Sequence, residues 1–152
     1  MSKIAELGKD YKNLPALLEA YETDLSKARH QLEIKGKKLE IANSENSAWL
    51  HYYDQRKVEL HTIVKFFQAE EERVRGSLFK SYKENYSRAL GEREINKYID
   101  NEDKFIYVHS LLLEVEEVYE LYQSTVNAFI SRNYALSNIT KIRVAQLEYV
   151  EI

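Results

Sequence analysis

Apolar residues recur at three- and four-residue spacing along most of the chain, the period of helices with one buried face. Leu17, Leu18, Tyr21, Leu25 and Ala28 make such a face within the first thirty residues. It begins after a break at Asn13-Leu14-Pro15, since proline suits a helix's first turn and pushes the preceding residue out of helical angles. A longer run extends from about residue 48 to about residue 86, with Trp49, Tyr52, Tyr53, Leu60, Ile63, Val64, Phe67, Val74, Leu78 and Phe79 on its apolar side. The polar stretch Asn43-Ser44-Glu45-Asn46-Ser47 predicts an interruption before it, with Asn46 or Ser47 as the N-cap, because these side chains compete for backbone hydrogen bonds. Gly76 sits inside the run at a cost of about 1 kcal/mol against alanine, either admitting another backbone or marking a bend. A turn over 85–91 and a short helix over 92–99 follow.

The last long element is expected to start at Asp100-Asn101, with Glu102 and Asp103 favouring the positive helix end. Phe105, Leu112, Tyr119 and Val126 form one seven-residue series, and Val108, Val115, Tyr122 and Phe129 a second one offset by three. This a/d heptad predicts a rod on the order of 45 Å over residues 102–131 that serves as a bundle spine, an oligomer interface or both. Leu111 and Val118 widen the stripe beyond a strict two-helix seam. A turn is expected after Arg132-Asn133, then a final helix capped by Asn138. Only residues 31–36 and 147–152 depart from helical period. The first reads as a short strand or an extended connector ending at Gly36, the second as a terminal strand. The fold class is therefore mainly α, an elongated helical bundle, oligomeric where the heptad face meets another subunit.

Composition agrees with that pattern: 4 Gly and 1 Pro in 152 residues leave little material for tight turns. The absence of Cys excludes disulfides and thiolate metal sites and fits a reducing cytoplasm. The N-terminus mixes charges where a signal peptide needs an apolar block, and no apolar run approaches a membrane span. These features predict a soluble, cytoplasmic protein without a membrane partner. The net charge of −3 means that any polyanion must be met by a local patch.

One patch fits. Between Arg73 and Arg88 lie Arg75, Lys80 and Lys83, with Glu84 the only acid, and Phe79, Tyr82 and Tyr86 interleave with them. Cations among aromatic rings can hold a phosphate backbone and stack unpaired bases. The same stretch also reads as an ordinary amphipathic helix with aromatics in its own core and charges in water. Enzyme chemistry finds no support. The glycines at 8, 36, 76 and 91 make no phosphate-cradling loop, and no histidine sits in a zinc-protease or di-iron motif. His51 with Asp54 reads as a surface pair rather than a metal site. No serine lies in a nucleophile elbow, and no cofactor is expected.

From Gly36 onward the chain resembles the UvsY-type recombination mediators of tailed phages. The likeness rests on G-K-K-L-E-I-A-N at 36–43, W-x-x-Y-Y-D-Q-R at 49–56, L-F-K-S-Y-K-E-N-Y-S at 78–87, Y-I-D-N-E-D at 98–103 and F-I-S-R-N-Y-A-L-S-N-I at 129–139, in that order and spacing. It divides the chain into an N-terminal helical extension, 1–30, and a mediator-like domain, 31–152. The resemblance implies a non-enzymatic, ring-forming homo-oligomer that binds single-stranded DNA. It would load a RecA-like recombinase onto DNA coated by single-strand-binding protein during recombination and repair, in the cytoplasm of an infected bacterium. In that family a basic–x–basic pair before an aromatic–Ser turn contacts DNA; Lys80 matches its first position, and Tyr82, with Lys83 beside it, stands at the second. The DNA-binding set is thus Arg73, Arg75, Lys80, Tyr82, Lys83, Tyr86 and Arg88. The oligomer set is Phe105, Val108, Leu112, Val115, Tyr119, Tyr122, Val126 and Phe129. The alternative reading is a structural helical adaptor that binds proteins only.

Overall fold

The residues between Leu39 and Asn85 form one helix, because the polar stretch near its start satisfies its side chains without breaking the backbone ladder. A computed structural model describes residues 2–86 and 88–145. In it Asn43 Nδ2 donates to the Leu39 carbonyl (3.0 Å), Ser44 Oγ donates to that of Ile41 (2.9 Å), and Asn46 turns inward. The interruption expected at 43–47 is therefore absent: back-bonding to the helix's own carbonyls replaces capping. The helices are α1 (Lys3–Glu6), α2 (Leu14–Leu32), α3 (Leu39–Asn85), α4 (Glu92–Asp100) and α5 (Asp103–Val144). At 47 residues α3 is about 70 Å long.

α3 and α5 form an antiparallel hairpin, and α2 lies along part of it, antiparallel to α3. Cross-helix bonds fix the register: Asn46 meets Phe129, Tyr21 meets Glu59 and Tyr122, and His109 meets Glu71. Leu14, Leu18, Tyr21 and Ala28 of α2 share one core with Tyr53, Leu60, Ile63 and Phe67 of α3 and Val115, Tyr122 and Phe129 of α5. The first thirty residues are therefore part of the same packed unit, and the division at residue 30 does not coincide with a break in packing. The core is rich in tyrosine, and each phenol tip finds a partner: Tyr21 donates to Glu59 (2.6 Å), Tyr53 to Gln31 (2.7 Å) and Tyr122 to the Tyr21 carbonyl (2.8 Å). Burial of these rings pushes the Tyr53 pKa up to about 12 and raises those of Tyr21 and Tyr122 further, so all three stay neutral donors.

α5 continues through Arg132-Asn133, where a turn was expected, and through Asn138. Arg132 is buried, and its guanidinium donates to the carbonyls of Leu32 (3.2 Å), Ala42 (3.2 Å) and Glu33 (3.5 Å) and to Asn46 Oδ1 (3.0 Å). A residue expected at a helix end instead closes the C-terminus of α2 from inside the bundle. The start of α5 also differs from expectation. Asp100 ends α4, Glu102 is extended, and the helix begins at Asp103.

Residues 33–38 form a connector rather than a strand. It turns at Gly36, whose φ of 81° suits a glycine, with the Lys37 N–H donating to the Ile34 carbonyl (3.1 Å). The strand expected over 147–152 lies outside the described residues. Among the described residues no helix is long and apolar enough to cross a membrane.

Asp24 ties α2 to α3. Burial favours its neutral form, but the Tyr52 hydroxyl (2.6 Å), Arg56 (2.9 Å) and Lys27 (3.5 Å) outweigh that and hold its carboxyl below the usual range. A carboxylate whose pKa falls on folding stabilises fully above its unfolded value, roughly 3.9, and loses that contribution as pH drops through the folded value. Asp24→Asn is expected to flatten the acid limb of stability, read as urea midpoints from about pH 6 to about pH 2. An acid limb as steep as wild type's would remove Asp24 from this account.

Candidate nucleic-acid interface

α2 does not reach the far end of the hairpin, and there α4 packs on α3 instead. Leu90, Ile95, Ile99 and Phe105 make a small second core against Val74, Leu78, Phe79 and Tyr82. Ile95 and Ile99 face inward one turn apart, so α4 presents Glu92, Arg93, Lys97 and Tyr98 elsewhere on its surface.

This packing gathers three tyrosine rings. Tyr82 stands 5.3 Å from Tyr86, the extended residue that caps α3, and 5.6 Å from Tyr98 of α4 at an interplanar angle of 22°. Tyr86 and Tyr98 lie 6.4 Å apart and 15° from parallel. Tyr86 is 50% exposed and Tyr98 39%, so the outer rings have surface left for a further ring to stack on. The Tyr82 hydroxyl donates to Glu102, and that bond, with desolvation, pushes its pKa up to about 12. The spacing of Tyr82 and Tyr86 is visible in the sequence. Tyr98 was not in the expected set, and its one local signal is its place outside the Ile95–Ile99 face of α4.

The expected cations divide into two groups. Lys80 is 75% exposed and 4.0 Å from Glu84, and Lys83 Nζ sits 5.7 Å over the Phe79 ring. Lys83 stands three residues before Tyr86, whereas Lys80 projects from the side of α3 away from Tyr82. The three arginines carry acidic partners. Arg73 forks onto Glu70 (2.9 and 3.1 Å), which itself accepts from Tyr11. Arg75 donates to Asn96 (3.1 Å) and Asp100 (2.8 Å) and lies 4.5 Å over the Phe105 ring. Arg88 pairs with Glu94 (2.7 Å). Arg73 lies toward the middle of the hairpin, two and a half turns before Tyr82, and stands apart. The structure brings Tyr82, Tyr86 and Tyr98 together and joins Arg88 to Tyr98 through Glu94, which accepts from both (2.7 and 3.3 Å), while Lys80 projects from another flank of α3.

The heptad stripe is packed inside the chain. Phe105 belongs to the second core; Val108, Leu112, Val115, Tyr122, Val126 and Phe129 are buried in the main one, with Tyr119 partly buried against it. The chain's own α2, α3 and α4 cover that face. The large apolar residues that α5 exposes are different ones, among them Ile106, Leu113, Leu121, Ile130 and Tyr134. No protein-family model, curated protein or solved structure matches this chain.

Proposed function

We propose that this chain is a single-stranded-DNA-binding protein whose contact surface is the Tyr82–Tyr86–Tyr98 platform with Lys83 and Arg88 beside it and Lys80 on another flank of α3. The observation that carries this reading is the exposure of two near-parallel rings, with Lys83 close by, at the connected end of the hairpin. Every unpaired base offers a face to such rings, whereas duplex DNA keeps its bases stacked, so the platform favours single strands without demanding a sequence. The wider role is that of a non-enzymatic recombination mediator, a homo-oligomeric ring that loads a RecA-like recombinase onto DNA coated by single-strand-binding protein in an infected bacterial cytoplasm. It rests on the sequence resemblance. Ring assembly suits a weak and mildly acidic subunit, because several patches acting together replace affinity with avidity.

The test is anisotropy of labelled oligothymidine against a duplex of equal length over a salt series. Single strand is expected to bind more tightly. Tyr86→Ala with Tyr98→Ala is expected to weaken it by about tenfold or more at all salt concentrations. Lys80→Ala with Lys83→Ala should instead flatten the log–log salt slope by about 1.4 per subunit, since each phosphate contact on a single strand contributes roughly 0.7. A second reading, the helical adaptor without DNA affinity, is favoured by the acid partners of Arg73, Arg75 and Arg88. Absence of binding to either DNA at low salt would select it.

A further inference from the structure

Gly76 interrupts the helix-forming composition of α3, and nothing among the described residues accounts for it. A Cβ placed on it meets no atom within 4 Å outside the local helix backbone, so no neighbouring element needs the space. The helix runs on through it, so it marks no break. What faces it is an open groove of about 380 Å³ between α3 and α4, walled by Glu72, Arg75, Phe79, Glu92 and Asn96. A residue that weakens the helix and leaves its own surface bare suits a ligand that approaches the backbone closely.

We propose that this groove is a nucleotide subsite that receives one base of the single strand, and that it prefers bases carrying an exocyclic amine. The inference rests on the DNA-binding reading above. A flat ring laid on the bare backbone at Gly76 has Phe79 at its side, one turn along the helix. Glu72 and Glu92 offer carboxylates to the ring edge, and Asn96 the second lone pair of an amide oxygen that already accepts from Arg75 (3.1 Å). Cytosine N4 and adenine N6 donate to such acceptors, whereas thymine presents a carbonyl oxygen at the corresponding position. Lys80 and Lys83, four and seven residues on, lie on the same face of α3 as Gly76, where the adjoining phosphates would pass. Phe79 lines the groove and packs against the same small core as Tyr82, which places groove and platform on adjoining parts of α3. Arg75, held by Asn96 and Asp100, fixes the wall that Asn96 belongs to.

The test compares the full-length wild type with Gly76→Ala and Gly76→Leu, by thermal melting and by anisotropy with labelled oligo(dC), oligo(dA) and oligo(dT). Both substitutions are expected to raise the melting temperature, by about 2–4 °C for alanine, because they restore a helix former where nothing clashes. Gly76→Leu fills the groove and is expected to bind oligo(dC) and oligo(dA) at least about tenfold more weakly, and to lose a wild-type preference of roughly fivefold or more over oligo(dT). A stabilised variant with impaired binding is a signature that a purely structural glycine does not give. Wild-type affinity in Gly76→Leu for all three strands overturns the subsite and leaves the platform standing. A Gly76→Leu that melts below wild type places the chain itself in the groove and also overturns it. Wild-type protein that binds no strand overturns the DNA-binding reading and the subsite together.

Discussion

Arg132→Leu is expected to lower the free energy of unfolding by about 3–5 kcal/mol, the largest loss from any single substitution outside the aromatic core. The Arg132 side chain is 4% exposed, and its four hydrogen bonds end on three backbone carbonyls and one amide oxygen, none of which the substitution removes. Leu32 and Glu33 lie at the C-terminus of α2, where carbonyls lack helical partners and a cation is favoured by the helix dipole. Leucine would fill much of the volume and leave those acceptors unpaired in a closed space. Burial pushes the guanidinium's pKa below its usual value, with Glu45 opposing, so the charge is held at some cost and the fork of donors is what offsets it. Arg132→Lys keeps the charge without the fork and should fall between the two proteins. Urea unfolding followed by far-UV circular dichroism measures all three. A loss below about 1 kcal/mol for leucine would mean that water reaches the carbonyls and the plug is dispensable.

The same residue shows where the sequence stops being legible. Helix type and the inward faces of α2, α3 and α5 follow from local period, because a buried face repeats every three or four residues whatever it packs against. The two missed continuities, at 43–47 and at 132–133, are the two halves of one contact. Asn46 and Arg132 are 86 positions apart in sequence and satisfy each other inside the bundle. Read locally, an asparagine among serines is a cap and an arginine before an asparagine is a helix end. Only the partner helix reverses both readings. The heptad illustrates the same limit from the other side, since a seven-residue stripe states that a helix will be covered and not by which chain. At the interface, the cation–aromatic run was visible along α3, but Tyr98 and the acids Glu94, Asp100 and Glu102 reach it from α4 and its flanks through packing on Ile95 and Ile99.

Those three acids lead to the second large effect. Glu94 holds Arg88, Asp100 holds Arg75 and Glu102 holds the Tyr82 hydroxyl, so the groups that would receive phosphate already face carboxylates of the same chain. A bound strand must displace them and then lie beside their charge. The ion pairs are partly open to water, and pairs of that kind contribute roughly 0–1 kcal/mol each, so displacement is cheap while repulsion of phosphate persists. Combining Glu94→Gln, Asp100→Asn and Glu102→Gln keeps side-chain volume and hydrogen bonding but removes that charge. The triple variant is expected to bind oligothymidine about tenfold or more tightly near physiological salt. Its salt slope should steepen by about 1.4, as two arginines become available at roughly 0.7 each. Glu19→Gln, Glu114→Gln and Glu117→Gln, which line a groove between α2 and α5, change net charge equally and serve as the comparison. Tightening confined to the first set would assign Arg75 and Arg88 to the phosphate path. Equal tightening in both would reduce the effect to net charge. No tightening in either would take both arginines out of the interface and leave Lys80 and Lys83 as its only cationic contacts from the expected set.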